Sequence, residues 1–231
     1  MGLLTILYTI FIRPLELLFE IIYVVADRII QNPGLSIIAL SLAVSFLVLP
    51  LYRRADKMQQ EERDIEEKLD RGVRHIRETF SGDERFLMLS TYYRQNGYKP
   101  YYVLKSSVSL LLQIPFFIAA YRFLSGLALL KGASFGPIAD LGAPDGMLRI
   151  GSLSVNLLPI LMTAVNVISG MIYTKGMSLK NKIQLYGMAA VFLVLLYRSP
   201  AGLVFYWTLN NLFSLVKNLF YKLKDPGKVF R

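Results

Sequence analysis

Long apolar runs separated by short polar breaks dominate the chain. A helix needs about 20 residues to cross about 30 Å of hydrocarbon. The runs over residues 34–52, 101–124, 150–174 and 201–221 are near or above that length. A shorter run covers residues 183–197, only 15 positions. At about 1.5 Å per residue it is short for an ordinary bilayer. Lys182 and Arg198 flank it and can snorkel to the headgroups, or the bilayer can thin locally. Asn32, Pro33 and Gly34 break any helix that would enter the first run from upstream. The pattern predicts an all-α integral membrane protein with five transmembrane helices.

Two stretches have a different rhythm. In residues 1–33, Arg13, Glu16, Glu20, Tyr23 and Asp27 recur three or four apart and form one polar face. Leu15, Leu18, Phe19, Ile22 and Val25 lie away from it. That spacing predicts an amphipathic helix lying in the membrane interface. A signal peptide or a sixth span would need a basic leading region or a small-residue cleavage site, and the stretch has neither. Residues 53–100 are the long charged segment. They read as two helices with a turn at Ser81 and Gly82, capped by Ser81 or Asp83, making a cytoplasmic helical hairpin. Its mixed charge is either a solvated face or a surface for a partner.

Charge then sets orientation. Lysine and arginine cluster just after the first run, in residues 175–182 and in the tail at 222–231. The loop at 125–149 and the break after 197 carry fewer, namely Lys131, Arg149 and Arg198. Basic loops stay cytoplasmic, so the N-terminus is expected outside and the C-terminus inside. The formal net charge of +10 would suggest nucleic acid in a soluble protein. Here the basic residues flank apolar runs, which fits membrane orientation and anionic lipid instead.

Polar residues recur inside the runs at helical spacing. Ser41 and Ser45 are four apart, as are Lys105, Ser109 and Gln113. Thr163, Asn166, Ser169 or Gly170, and Tyr173 follow one face of the third run. Tyr206, Asn210, Ser214 and Lys217 follow one face of the last. Polar side chains in hydrocarbon are costly and turn toward protein or water. One such stripe is explained by hydrogen bonding between helices. Four stripes and an ionisable lysine point to a shared polar groove. None of the runs contains Asp or Glu, no P-loop is present, and there is no cysteine. The one histidine, His75, lies in the charged segment. No catalytic constellation, metal site or cofactor is expected, and the chain does not read as an enzyme.

Several passages resemble the YidC/Oxa/Alb family of membrane protein insertases. "SPAGLVFYWTLNNLFSLVKN" looks like the family's last membrane helix, and "LLLQIPFFIAAYRFL" resembles its second. "ADLGAPDGMLRIGSLSVNLLPILMTAVN" is similar to its external segment and the start of its third helix. "NPGLSIIALSLAVSFLVLPLY" and "YYRQNGYKP" match its first helix and the end of its hairpin, so the likeness covers residues 13–222. The resemblance implies a hydrophilic groove open to the cytoplasm and to lipid but closed outside, and a hairpin that recruits clients. Bacterial members usually carry an arginine in the first helix, where this chain has Ser45, and "LKSSVS" stands where many have Cys-Leu-Pro. Either the chain is a divergent paralogue with narrower clientele, or Lys105 supplies the groove charge.

The expected function is insertion of nascent membrane proteins into the bacterial cell membrane, without nucleotide hydrolysis. Expected partners are nascent chains and lipids, with the ribosome and the Sec translocon as further candidates and no specific nucleic acid. The alternatives are an accessory scaffold derived from an insertase, and a small-solute transporter, which would call for a through-pore and internal repeats.

Overall fold

The computed structural model describes residues 2, 5, 6, 8–98, 108–151, 153–173 and 179–224. They are overwhelmingly helical. A π-turn over Tyr8–Ile12 leads into α1, Arg13–Ile30, with Pro14 in its first turn, where a missing N–H costs nothing. Gln31 ends α1 in the left-handed conformation at φ 54°, its N–H bonding to Asp27 O. Asn32 then caps the next helix, its Oδ1 accepting the Leu35 N–H at 3.0 Å. The break at Asn32–Gly34 is thus a helix end and a helix start in three residues.

Helix α2, Pro33–Thr79, continues through Pro50 far beyond residue 52. Charge alters which solvent a helix meets, but does not end it. Helix α3 is Gly82–Gln95. Ser81 holds the extended cap position without a side-chain cap bond, and Gly82 takes φ 56° to make the turn. Helix α4 is Val108–Gly126, α5 is Leu157–Tyr173, α6 is Leu179–Leu196 and α7 is Ala201–Lys224. The short fourth run lies inside an 18-residue helix, about 27 Å long at 1.5 Å per residue. The third run does not start its helix at 150. Leu148–Ile150 and Leu153–Val155 pair as antiparallel strands β1 and β2 around Gly151, at φ 61°. Among the described residues, one helical stretch, Pro33–Ala55, is long and apolar enough to cross a membrane, with mean hydropathy 2.3. Leu111–Gly126, Leu157–Met171 and Leu185–Leu196 are shorter apolar stretches.

The chain forms two compact units. One comprises Val48–Ile114. Leu69, Val73 and Ile76 are buried there at spacings of three and four, giving α2 a narrow apolar seam. The Tyr92 ring of α3 fills the space a side chain at Gly72 would need.

The other unit comprises Met1–Leu47 and Pro115–Arg231. Its core is a chain of rings. Phe19 of α1 meets Phe123 and Tyr206, Tyr206 meets Trp207, and Trp207 meets Phe117 and Phe192. Ile37, Leu40, Ala119, Ala120, Leu203 and Val204 close around them. Helix α5 packs against both α6 and α7. The buried face of α1 is Glu16, Phe19, Tyr23 and Ala26. The polar face expected in water therefore partly faces protein, while Leu17, Ile21, Val25 and Ile29 are exposed.

Candidate functional site

Ser41 and Ser45 stand one turn apart on α2, so both hydroxyls point the same way. They meet a single partner across the bundle. Asn210 of α7 accepts from Ser41 Oγ at 3.1 Å and from Ser45 Oγ at 2.9 Å, both on Oδ1. Ser41 is wholly buried, while Ser45 and Asn210 are half-buried. Asn210 lies nine residues past Ala201, or about 14 Å along α7. The cluster is therefore a polar centre well inside the bundle. Next to it, Phe46 and Phe213 make an edge contact at 5.2 Å.

The end of this unit at which α2, α5 and α7 begin is sealed by the loop between α4 and α5. Phe135 lies over Gly34 so closely that a Cβ there would collide with the ring. Phe135 also meets Phe205. Asp140 Oδ1 accepts from the N–H groups of Gly132 and Gly142. The Ala201 and Gly202 N–H groups donate to Ala143 O and Leu141 O at 2.7 and 2.8 Å. Asp145 Oδ2 accepts the first N–H of α5, from Leu157, at 2.6 Å, where the helix dipole favours a carboxylate. Asn156 joins the two ends of the seal, accepting from Gly146 N–H and donating to Tyr197 O. These bonds pair the loop's backbone with its own side chains and with the start of α7, which fixes it over the helix ends.

The other predicted site residues scatter. Tyr206 is 2% exposed and belongs to the ring cluster. Thr163 returns its hydroxyl to Pro159 O, the usual satisfaction of a helical threonine. Asn166 and Ser214 are half-buried on α5 and α7. Gln113 is half-buried in the Val48–Ile114 unit. Lys105 lies outside the described residues, as do the side chains of Ser109 and Tyr173. Of the predicted stripes, those of α2 and α7 are brought into direct contact.

Residues 25–227 match the model of a family described as "60Kd inner membrane protein". This is the YidC/Oxa/Alb family. The chain belongs to it. Proteins called membrane protein insertase YidC are among its relatives. That of Treponema denticola is 27% identical over 90% of this chain, and that of Wolinella succinogenes is 30% identical over 92%. That of Thiobacillus denitrificans is 30% identical over 83%. The chain spans about a third of the length of these relatives, 37%, 37% and 33% respectively.

Within the YidC/Oxa/Alb framework, Ser45 stands where the resemblance places an arginine. Here that position carries a hydroxyl bound to Asn210 instead of a charge. A cationic cluster does exist in the unit, but elsewhere, and the sequence pattern missed it. Glu16 of α1 is buried, and Arg122 of α4 donates from Nε to its Oε1 at 2.6 Å. Tyr8 Oη donates to its Oε2 at 2.5 Å, and Arg13 Nη1 lies 3.5 Å from the same oxygen. The Arg122 guanidinium stacks on the Tyr8 ring at 4.8 Å. A lone charge near the end of the run at 101–124 was the available signal, but its partner is 106 positions away.

Burial alone would raise the Glu16 pKa. The hydrogen bonds from Tyr8 and Arg122, the Arg122 charge and the Arg13 contact outweigh it, holding the carboxyl below its ordinary 4.5. A depressed carboxylate stabilises the fold above its unfolded pKa and loses that contribution as pH falls through the folded value. Thermal unfolding in micelles should therefore show the parent losing a few degrees of Tm as pH drops below about 4.5, the ordinary value. Glu16→Gln should start lower at neutral pH and lose less over that window. Parallel curves for the two proteins would mean that the cluster does not hold α1.

Proposed function

We propose that the chain is a membrane protein insertase. Five spans would be formed by the apolar part of α2 and by α4, α5, α6 and α7, with α1 in the outer interface and the α2–α3 hairpin in the cytoplasm. The observation that carries this reading is the Ser41–Asn210–Ser45 centre, a polar patch between helices whose starting ends are sealed by the 127–156 loop. A polar interior closed at one end suits a substrate that enters and leaves by the other end or by the side. It does not suit a solute that must pass through. A client's polar flank would rest on the hydroxyl and amide groups while its apolar part moves into lipid. That avoids a cost of several kcal/mol for each unsatisfied polar group in hydrocarbon. No nucleotide enters this scheme. The clients would be nascent membrane proteins, delivered by a ribosome or shared with the Sec translocon.

The neutral cluster also favours a second reading, an accessory scaffold that has lost insertase activity, since the arginine position is occupied by a bonded serine. Depletion of a bacterium's own insertase separates the two. An insertase should restore growth and the insertion of a single-span reporter to near the undepleted level. A membrane-located chain that leaves both at the depleted level would be a scaffold.

A further inference from the structure

The Glu16 cluster has more cation than it needs. Glu16 is a single buried carboxylate, yet two guanidiniums converge on it. Its side chain is 9% exposed, whereas those of Arg13 and Arg122 are 54% and 56% exposed. The two guanidiniums are therefore the exposed part of this ion cluster, and the carboxylate of Glu16 its covered part. Arg122 uses Nε toward Glu16 and its flat face toward Tyr8. Its two terminal amino groups extend beyond that bond in the same plane. Stacking and the Nε bond fix the plane of that pair in advance. A planar fork held in place beside a second guanidinium is the geometry that takes a phosphate bidentately.

The flank of the cluster is apolar. Ile10 and Phe11, just before α1, are 59% and 57% exposed, and Leu17 and Ile21 continue the exposed row along the helix. Glu20, one turn past Glu16, is exposed as well. Net charge at the cluster is thus small, and diffuse attraction to an anionic surface does not explain two ordered arginines. We infer that Arg13 and Arg122, braced by Glu16 and Tyr8, bind the phosphodiester of an anionic phospholipid. Its acyl chains would lie along Ile10, Phe11 and Leu17. The inference requires the chain to sit in a bilayer. It does not require insertase activity.

Native mass spectrometry of the full chain, released from micelles holding equal phosphatidylglycerol and phosphatidylcholine, tests this. The parent should retain phosphatidylglycerol over phosphatidylcholine. Arg122→Lys, which keeps the charge but loses the fork, should lower that preference about tenfold, the scale of one charge-assisted contact. Arg13→Gln, at an exposed position outside the core, should lower it too and keeps the test valid if Arg122→Lys does not fold. Unchanged preference in Arg13→Gln and Arg122→Lys would overturn the site. So would equal retention of the two lipids by the parent. Displacement of phosphatidylglycerol by inorganic phosphate at equal concentration would assign the site to free phosphate and overturn the lipid.

Discussion

Replacing residues 68–96 by a short Gly/Ser linker should leave a folded membrane protein that crosslinks nascent chains about tenfold less, a loss of about 1.4 kcal/mol of capture energy. The cut follows the register of the hairpin. Tyr92 lies over Gly72, so in an antiparallel pair positions 68 and 96, each four residues farther from the turn, face each other. The excised part lies wholly in the Val48–Ile114 unit, so the bundle core keeps every one of its ring contacts. What disappears is all of α3 and the last three turns of α2, with the seam between them. The first two turns of α3 are exposed throughout, and Phe86 and Leu87 are 72% and 61% exposed. These side chains do not support the hairpin, whose seam is Leu69, Val73 and Ile76. Phe86→Ser with Leu87→Ser should therefore reproduce most of the loss without unfolding anything. Photo-crosslinking of ribosome-bound nascent chains to membranes carrying each variant gives the measurement. Undiminished crosslinking and insertion in the excised protein would remove the hairpin from the mechanism.

The residues show why some of this was legible in the sequence and some was not. Apolar runs give helix positions because every backbone group in lipid must be satisfied within its own segment. The break before α2 was legible because Asn32 and Pro33 each have a defined role at a helix start, cap and first turn. That one helix carries both the apolar run and the charged segment after it was not legible. A change from apolar to charged residues marks a change of solvent, and Pro50 did not interrupt α2. The β1–β2 pair was hidden because three-residue strands beside a Gly turn merge into the apolar run that follows. Period alone placed Ser41, Ser45 and Asn210 on their faces, and those faces do meet. Period also selected Tyr206, but a tyrosine has a large apolar body, and burial among rings claimed it for the core. Arg122 stood out as a lone charge, but its pairing with Glu16 could not be read, since nothing in the local pattern links α1 to α4.

The triple variant Ser41→Ala, Ser45→Ala, Asn210→Leu should be as stable as the parent and insert clients at least about tenfold more slowly. Two roles for the cluster predict opposite results here. If it serves only to hold α2 to α7, Asn210→Leu alone is the harmful change. It leaves two hydroxyls without their acceptor, one of them at Ser41, which is fully buried. A buried group stranded in this way costs about 1–3 kcal/mol, and about 0.6 to 1.7 kcal/mol in membrane bundles. Removing all three polar partners together then restores stability, because no group is left unmet, and insertion returns with it. If the cluster instead receives the polar flank of a client, the stable triple variant presents hydrocarbon where hydroxyl and amide stood. The client must then cross without partners, at several kcal/mol for each group, so a tenfold slowing is a modest expectation. Thermal unfolding in micelles and reporter insertion in cells, measured on the single and triple variants, separate stability from transport. A triple variant that regains parental stability and parental insertion would reduce the Ser41–Asn210–Ser45 centre to helix packing. Ser45→Arg then asks what the missing charge does. In a working groove it should favour clients with acidic translocated segments over neutral ones, while in a packing contact it strands a cation beside Asn210 and lowers both alike.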